Sequence, residues 1–173
     1  MRAAVTAPRA LVVYYSRTGT TRAVAELVAA ALDADVEELR DARRRGTGRL
    51  GWLRSTIEVR LGWSTRLQPT RADPRHYDVV VIASPVWWAQ VSSPVREWLS
   101  ARAEDLPSAA LLVTLGGYGA DRALAQLARL ARQTPRAELA VRADAVASGG
   151  ADEAVAGFVR ELRSSMAAAR QRG

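Results

Sequence analysis

The chain alternates two kinds of hydrophobic pattern. Residues 10–15 (ALVVYY) run without a polar break, as a strand covered on both faces does. After the loop SRTGTT, apolar residues return at Val24, Leu27, Val28 and Ala31, the i, i+3, i+4, i+7 spacing of a helix laid on a sheet. The cycle repeats. Asp78–Ala83 (DVVVIA) predicts a second buried strand, and Pro94–Ala101 a helix with proline in its first turn. Ala109–Leu115 (AALLVTL) predicts a third, followed by glycines and a helix whose Leu124, Leu127, Ala128 and Ala131 share a face. Asp35–Leu39 reads as a short strand and Glu138–Val146 as a weaker one. Ser148, Gly149 and Gly150 mark a turn before a last helix carrying Val155, Phe158, Val159 and Leu162.

Strands alternating with helices across short turns predict an α/β domain, a parallel sheet with helices on both faces and ligands at the carboxyl ends of its strands. A length of 173 residues fits one domain, 1–173, which buries roughly 70% of its unfolded surface. Its core spans about 10–165, with an irregular insertion over about 40–76 in which Leu50, Leu53, Ile57 and Leu61 suggest one helix.

Composition narrows the chemistry. There is no cysteine, which removes disulfides, thiolate metal sites and cysteine nucleophiles. The one histidine, His76, precedes a strand, at the end opposite the expected ligand site, and reads as a surface residue; Glu37, Glu38 and Asp41 have no metal-ligand spacing. No metal site and no catalytic acid–base residue is expected. The net charge of +7 comes entirely from arginine without lysine, dispersed except for Arg43–Arg45, so no nucleic-acid partner is expected. The N-terminal residues lack the apolar run of a signal peptide, and no run approaches the roughly 20 residues of a membrane span. A cytoplasmic location without a membrane span is the expectation.

Three loops gather candidate chemistry. Ser16, Arg17, Thr18, Gly19, Thr20 and Thr21 leave a buried strand and enter a helix, where free amides and the positive end of the helix dipole favour an anion. Four hydroxyls in six residues exceed what capping needs, and Gly19 lets backbone approach a phosphate closely. The loop has neither the lysine of a Walker A motif nor G-x-G-x-x-G, which argues against ATP or NAD as the main ligand. The second loop, Ser84–Ser93, sets Trp87 beside Trp88; on extended backbone the two point apart, so one faces a ligand site as a stacking wall. The third, Gly116, Gly117, Tyr118 and Gly119, adds flexible backbone and another ring.

These residues resemble the flavodoxin-like FMN proteins, including short-chain flavodoxins and FMN-dependent quinone reductases. The first loop matches the S/T-x-T-G-x-T phosphate motif at every defined position, and YDVVVIASPVWWAQVSSPVREWL is similar to the family's third strand, flavin loop and following helix. The likeness runs from about Leu11 to Leu162. It implies a doubly wound sandwich with five parallel strands in the order 2-1-3-4-5, and FMN as cofactor. Ser16, Arg17, Thr18, Gly19, Thr20 and Thr21 would hold the phosphate; Pro85, Val86, Trp87 and Trp88 would line the isoalloxazine; Gly116, Gly117, Tyr118 and Gly119 would approach it from the third loop. Ala83 stands where glycine is commoner. Electron-carrier flavodoxins are typically acidic and this chain is basic, so reduced FMN should be less penalised here.

The expected function is an FMN oxidoreductase passing electrons from a reduced nicotinamide, NAD(P)H, or a reductase to a quinone or a redox protein partner. The rivals are a non-catalytic electron carrier and a binding module of the same fold that has lost FMN. Trp52 and Trp63 would serve a substrate lid or a homodimer contact, or their segment is simply solvated.

Overall fold

The computed structural model describes residues 8–42 and 67–171. The Arg43–Arg45 run, the helix expected around Leu50–Leu61, Trp52 and Trp63 lie outside the described residues. The strands are β1 (Ala10–Tyr14), β2 (Asp35–Glu38), β3 (Val79–Trp87), β4 (Gln90–Val91), β5 (Ala109–Leu115) and β6 (Glu138–Arg142). The helices are α1 (Thr20–Leu32), α2 (Ser93–Arg102), α3 (Ala120–Ala131), α4 (Ala143–Ala147) and α5 (Ala151–Arg170).

Five strands pair in parallel in the order β2-β1-β3-β5-β6, the order expected once β4 is set aside. Among the described residues the sheet nevertheless has six strands, because the two-residue β4 folds back antiparallel on the end of β3. Alternate side chains feed two cores, as the pleat requires. Val12, Val81 and Leu112 face Val24 and Val28 of α1 and Phe158 and Leu162 of α5. Leu11, Val13, Ile82 and Leu111 face Val95, Trp98 and Leu99 of α2 and Leu124 and Leu127 of α3. The flavodoxin-like α/β class is therefore the class observed.

Some boundaries differ from the sequence expectation, each for a physical reason. The buried stripe of α1 is Thr21, Val24, Ala25, Val28, Ala29 and Leu32, whereas Leu27 is exposed. Small alanines let this helix lie close to the sheet, so the stripe follows the i+4 rows rather than the largest side chains. The strand expected over Glu138–Val146 ends at Arg142, and the Ala-Asp-Ala-Val-Ala that follows winds into α4 with Asp144 in its first turn. Ala83, where a glycine is commoner, is fully buried. His76 is exposed in a 3-10 turn, Pro74–His76, ahead of β3.

β2 is an edge strand, and charge ties it to α1. Glu38 accepts from the guanidinium of Arg22, which also donates to the Tyr14 hydroxyl (3.2 Å), and from Arg40 (3.0 and 3.1 Å). Partial burial opposes the Glu38 charge, but the bonds from Arg22 and Arg40 together outweigh it and hold this carboxyl below its ordinary range. A folded-state pKa below the unfolded value of about 4.3 gives stability that is complete above that pH and fades as pH falls through the folded value. Glu38→Gln should therefore lower stability by about 1 kcal/mol at pH 7. Urea unfolding at about pH 3 should find the gap to the parent protein closed or much reduced.

Candidate functional site

Parallel pairing brings the ends of β1, β3 and β5 to one edge, and the three loops singled out above meet there. The first runs from β1 into α1. Gly19 takes the capping position with φ +96°, where an L side chain is strained, and no atom lies within 4 Å of the place its Cβ would fill. The Gly19 N–H donates to Ser16 Oγ (3.1 Å), and the helix begins with Ala23 N–H to the Gly19 carbonyl (2.9 Å). The first-turn amides beyond Gly19 consequently have no acceptor within the helix, and the first turn contains no acidic residue. Thr18 and Thr20 place hydroxyls 3.4 Å apart at this mouth. The sixth residue is placed differently from the expectation. Thr21 is 1% exposed and its hydroxyl pairs with that of Thr114 on β5 (2.7 Å), so its side chain joins helix to sheet instead of lying open at the loop.

The second loop is largely sheet rather than the extended loop expected. β3 continues through Ser84, Pro85, Val86 and Trp87, turns at Trp88 and Ala89, and returns as β4. Pro85 and Val86, expected to line the ring, are buried in β3, so little of either side chain is open at this edge. Ser84 staples the hairpin base: its hydroxyl accepts from Ser92 N–H (3.0 Å), lies 3.1 Å from Ser92 Oγ and donates to the Pro85 carbonyl (2.9 Å). Gln126 of α3 accepts from the Val91 N–H (3.0 Å), so a helix side chain satisfies the edge of β4. The two indoles do point apart. Trp87 packs inward, edge-on to Tyr15 with ring centres 6.2 Å apart, under the Arg17 guanidinium at 5.9 Å. Trp88 is 60% exposed.

Turn residues Trp88 and Ala89 both have positive φ (53° and 57°), the sign pattern of a type I′ hairpin turn, in residues other than glycine. Such backbone persists where the surroundings hold it. Here the third loop does so: a Cβ on Gly119 (φ +96°) would sit 2.5 Å from Ala89 Cβ, so the two loops are in backbone contact. Gly116 and Gly117 are exposed, and Tyr118 stands 72% exposed. Arg142 reaches the Gly117 carbonyl (3.5 Å) while Asp144 holds its guanidinium (2.9 Å). Sequence reasoning missed Gln126, Ala89, Thr114 and Arg142 as supports, because each acts on a loop distant in the chain and none belongs to a local motif.

A separate hollow of about 590 Å³ flanks β2. Its carboxylates are already committed: Asp35 to the Tyr77 hydroxyl, Glu37 to the amides of Arg71 and Ala72, and Glu38 to Arg22 and Arg40. The loop edge, with unmatched amides and exposed rings, is the better candidate. Among the described residues no cluster of acidic or histidine side chains could hold a metal, and no helix is long and apolar enough to cross a membrane.

Comparison with known proteins bears on this edge. The family described as Flavodoxin matches residues 9–141. No curated protein matches the chain. Among solved structures, a flavoprotein from Lactobacillus acidophilus in complex with FMN aligns at 20% identity and TM-score 0.67, over 84% of this chain and 99% of its own. A protein from Bacteroides uniformis assigned to the flavoproteins aligns at 22% identity and TM-score 0.72, over 90% and 99%. A WrbA-like flavodoxin from Agrobacterium tumefaciens aligns at 15% and 0.57, over 91% and 97%. At these identities the likeness is one of fold.

Two measurements check the site's architecture. Gly19→Ala and Gly119→Ala meet the same φ strain of about 1–2 kcal/mol, but only the second also collides with Ala89, so urea titration should find it the costlier by a further 1 kcal/mol or about that. Thr21→Val should cost about 1–2 kcal/mol by orphaning the buried Thr114 hydroxyl, and the Thr21→Val/Thr114→Val double variant should lose less than the sum of the singles.

Proposed function

The chain belongs to the flavodoxin family, and from that premise we propose that it binds FMN at the loop edge and acts as an oxidoreductase. It would take electrons from a reduced nicotinamide or a reductase and pass them to a quinone or a redox protein. The observation that carries the reading is the mouth of α1: a left-handed Gly19 with open space over it, first-turn amides without acceptors, and the hydroxyls of Thr18 and Thr20. That donor set suits a phosphate dianion, whose charge the helix dipole favours. The FMN complex of the Lactobacillus acidophilus flavoprotein supports the same assignment.

Ser16, Arg17, Thr18, Gly19 and Thr20 would hold the phosphate, with Thr21 adding its backbone amide. The hairpin that carries Trp87 and Trp88 would form one side of the flat ring's site, with Trp87 against its body and Trp88 at its open rim, and Gly116–Gly119 with Tyr118 the facing loop. When bound, the flavin supplies the redox chemistry, accepting and releasing electrons. The protein's own part is orientation and exclusion of water. Trp87, fixed by Tyr15, and the Ala89–Gly119 contact make the ring's surroundings rigid, while Trp88 and Tyr118 leave an approach for a second planar molecule. No side chain needs to act as a proton donor in this scheme.

Purified protein titrated with FMN should take up one equivalent and quench its fluorescence, binding riboflavin at least about tenfold more weakly for want of the phosphate. NAD(P)H should then bleach the bound flavin and a quinone restore it. Bleaching by dithionite alone, with no turnover of small substrates, would convert the reading to an electron carrier. A protein that takes up no flavin refutes it, and salt-sensitive retention on heparin by such a protein would favour a binding module.

A further inference from the structure

We infer that Arg17 sets the redox preference of this site, strengthening its hold on reduced FMN relative to oxidised FMN. The inference rests on the FMN reading above and concerns a different quantity, the ratio of two affinities.

Two arginines border the first loop, and the structure treats them differently. Arg22 is consumed: Glu38 and the Tyr14 hydroxyl hold its guanidinium. Arg17 has no carboxylate partner among the described residues. Its guanidinium lies over the Trp87 ring at 5.9 Å, and Trp87 is itself braced by Tyr15. The cation is thus held at the joint between the anion-binding mouth and the aromatic wall, which limits its excursion into solvent.

The carboxylates closest in the fold to α1 and the third loop are already committed to other arginines, and none is paired with Arg17 among the described residues. α1 has no acidic residue in its first turn, Glu38 is shared by Arg22 and Arg40, and Asp144 is taken by Arg142. Asp41 after β2, Asp121 in the first turn of α3 and Asp152 in that of α5 also stand at this end of the sheet, and exposed Arg122 follows Asp121 directly in the chain.

The oxidised flavin ring is neutral, and two electrons with one proton convert it to a ring bearing one negative charge. The phosphate charge is the same in both forms, so it drops out of the affinity ratio, which reports the ring alone. Across a protein surface, a unit charge one or two side-chain lengths away is worth on the order of tenfold in the affinity for an anion.

The experiment measures dissociation constants of oxidised FMN and of dithionite-reduced FMN for the full chain and three variants. Arg17→Gln should lower the reduced-over-oxidised affinity ratio about tenfold, equivalent to about 30 mV for a two-electron couple. Arg17→Lys should keep the ratio within about threefold, because the charge remains although the planar stack is lost. Arg160→Gln, on the exposed side of α5, should leave it unchanged. High salt should shrink the Arg17→Gln effect. Oxidised FMN binding by Arg17→Gln reports that its site is intact. If Arg17→Gln keeps the parent ratio, or Arg160→Gln lowers it equally, the inference is overturned while the FMN reading stands. If the parent protein binds neither form, both fall.

Discussion

The three inner strands are buried along almost their whole length, and they pair in parallel. Parallel strands cannot be joined by tight turns, so every connection must cross a face of the sheet and re-enter at the same end. This constraint gives the protein its two cores and brings three loops to one edge. Helices α1 and α5 cover one face while α2 and α3 cover the other, and the loops that leave β1, β3 and β5 are delivered to a common rim. Nothing in the loops needs to bring them together. The hydroxyl-rich mouth of α1, the indole hairpin and the glycine loop become neighbours because the strands beneath them are.

Within that rim, local preference yields to contact. A hairpin turn of Trp and Ala at positive φ opposes intrinsic backbone preference at a cost of order 1 kcal/mol for each residue. The hairpin persists because Ser84 and Ser92 close its base, Gln126 satisfies its outer strand, and Gly119 presents bare backbone against Ala89. The result is a braced hairpin: Trp87 packs inward against Tyr15 and Trp88 stands outward. Preorganisation of this kind reduces the ordering cost of holding a planar ligand.

The strong positive charge of the chain is less free than the arginine count suggests. Arg22 and Arg40 share Glu38, Arg75 clasps Asp73 and holds that carboxyl down to about 2, and Arg102, Arg132, Arg142 and Arg170 each meet a carboxylate. Exposed pairs of this sort add little stability one by one. Their larger effect is to commit about half of the described arginines to carboxylates, and Arg17, which lies over Trp87 at the rim, is not among those committed.

Hydrophobic patterning alone determined the α/β class, the five parallel strands, the placement of the main helices and the loops that gather at the rim. Those features follow from burial on two faces, which a sequence must encode residue by residue. That Trp87 and Trp88 diverge was legible too, although a turn at Trp88 (φ 53°), not extended backbone, separates them. The sequence did not reveal that Pro85 and Val86 are swallowed by an extended β3, that Thr21 turns inward to Thr114, or that Leu27 faces outward while Ala25 is buried. Tertiary structure decided these, because each depends on a partner many residues away: Gln126 for the hairpin, Gly119 for its turn, and β5 for the hydroxyl of Thr21. A motif names the residues able to bind an anion; the packing of distant segments selects which of their atoms remain exposed to meet it.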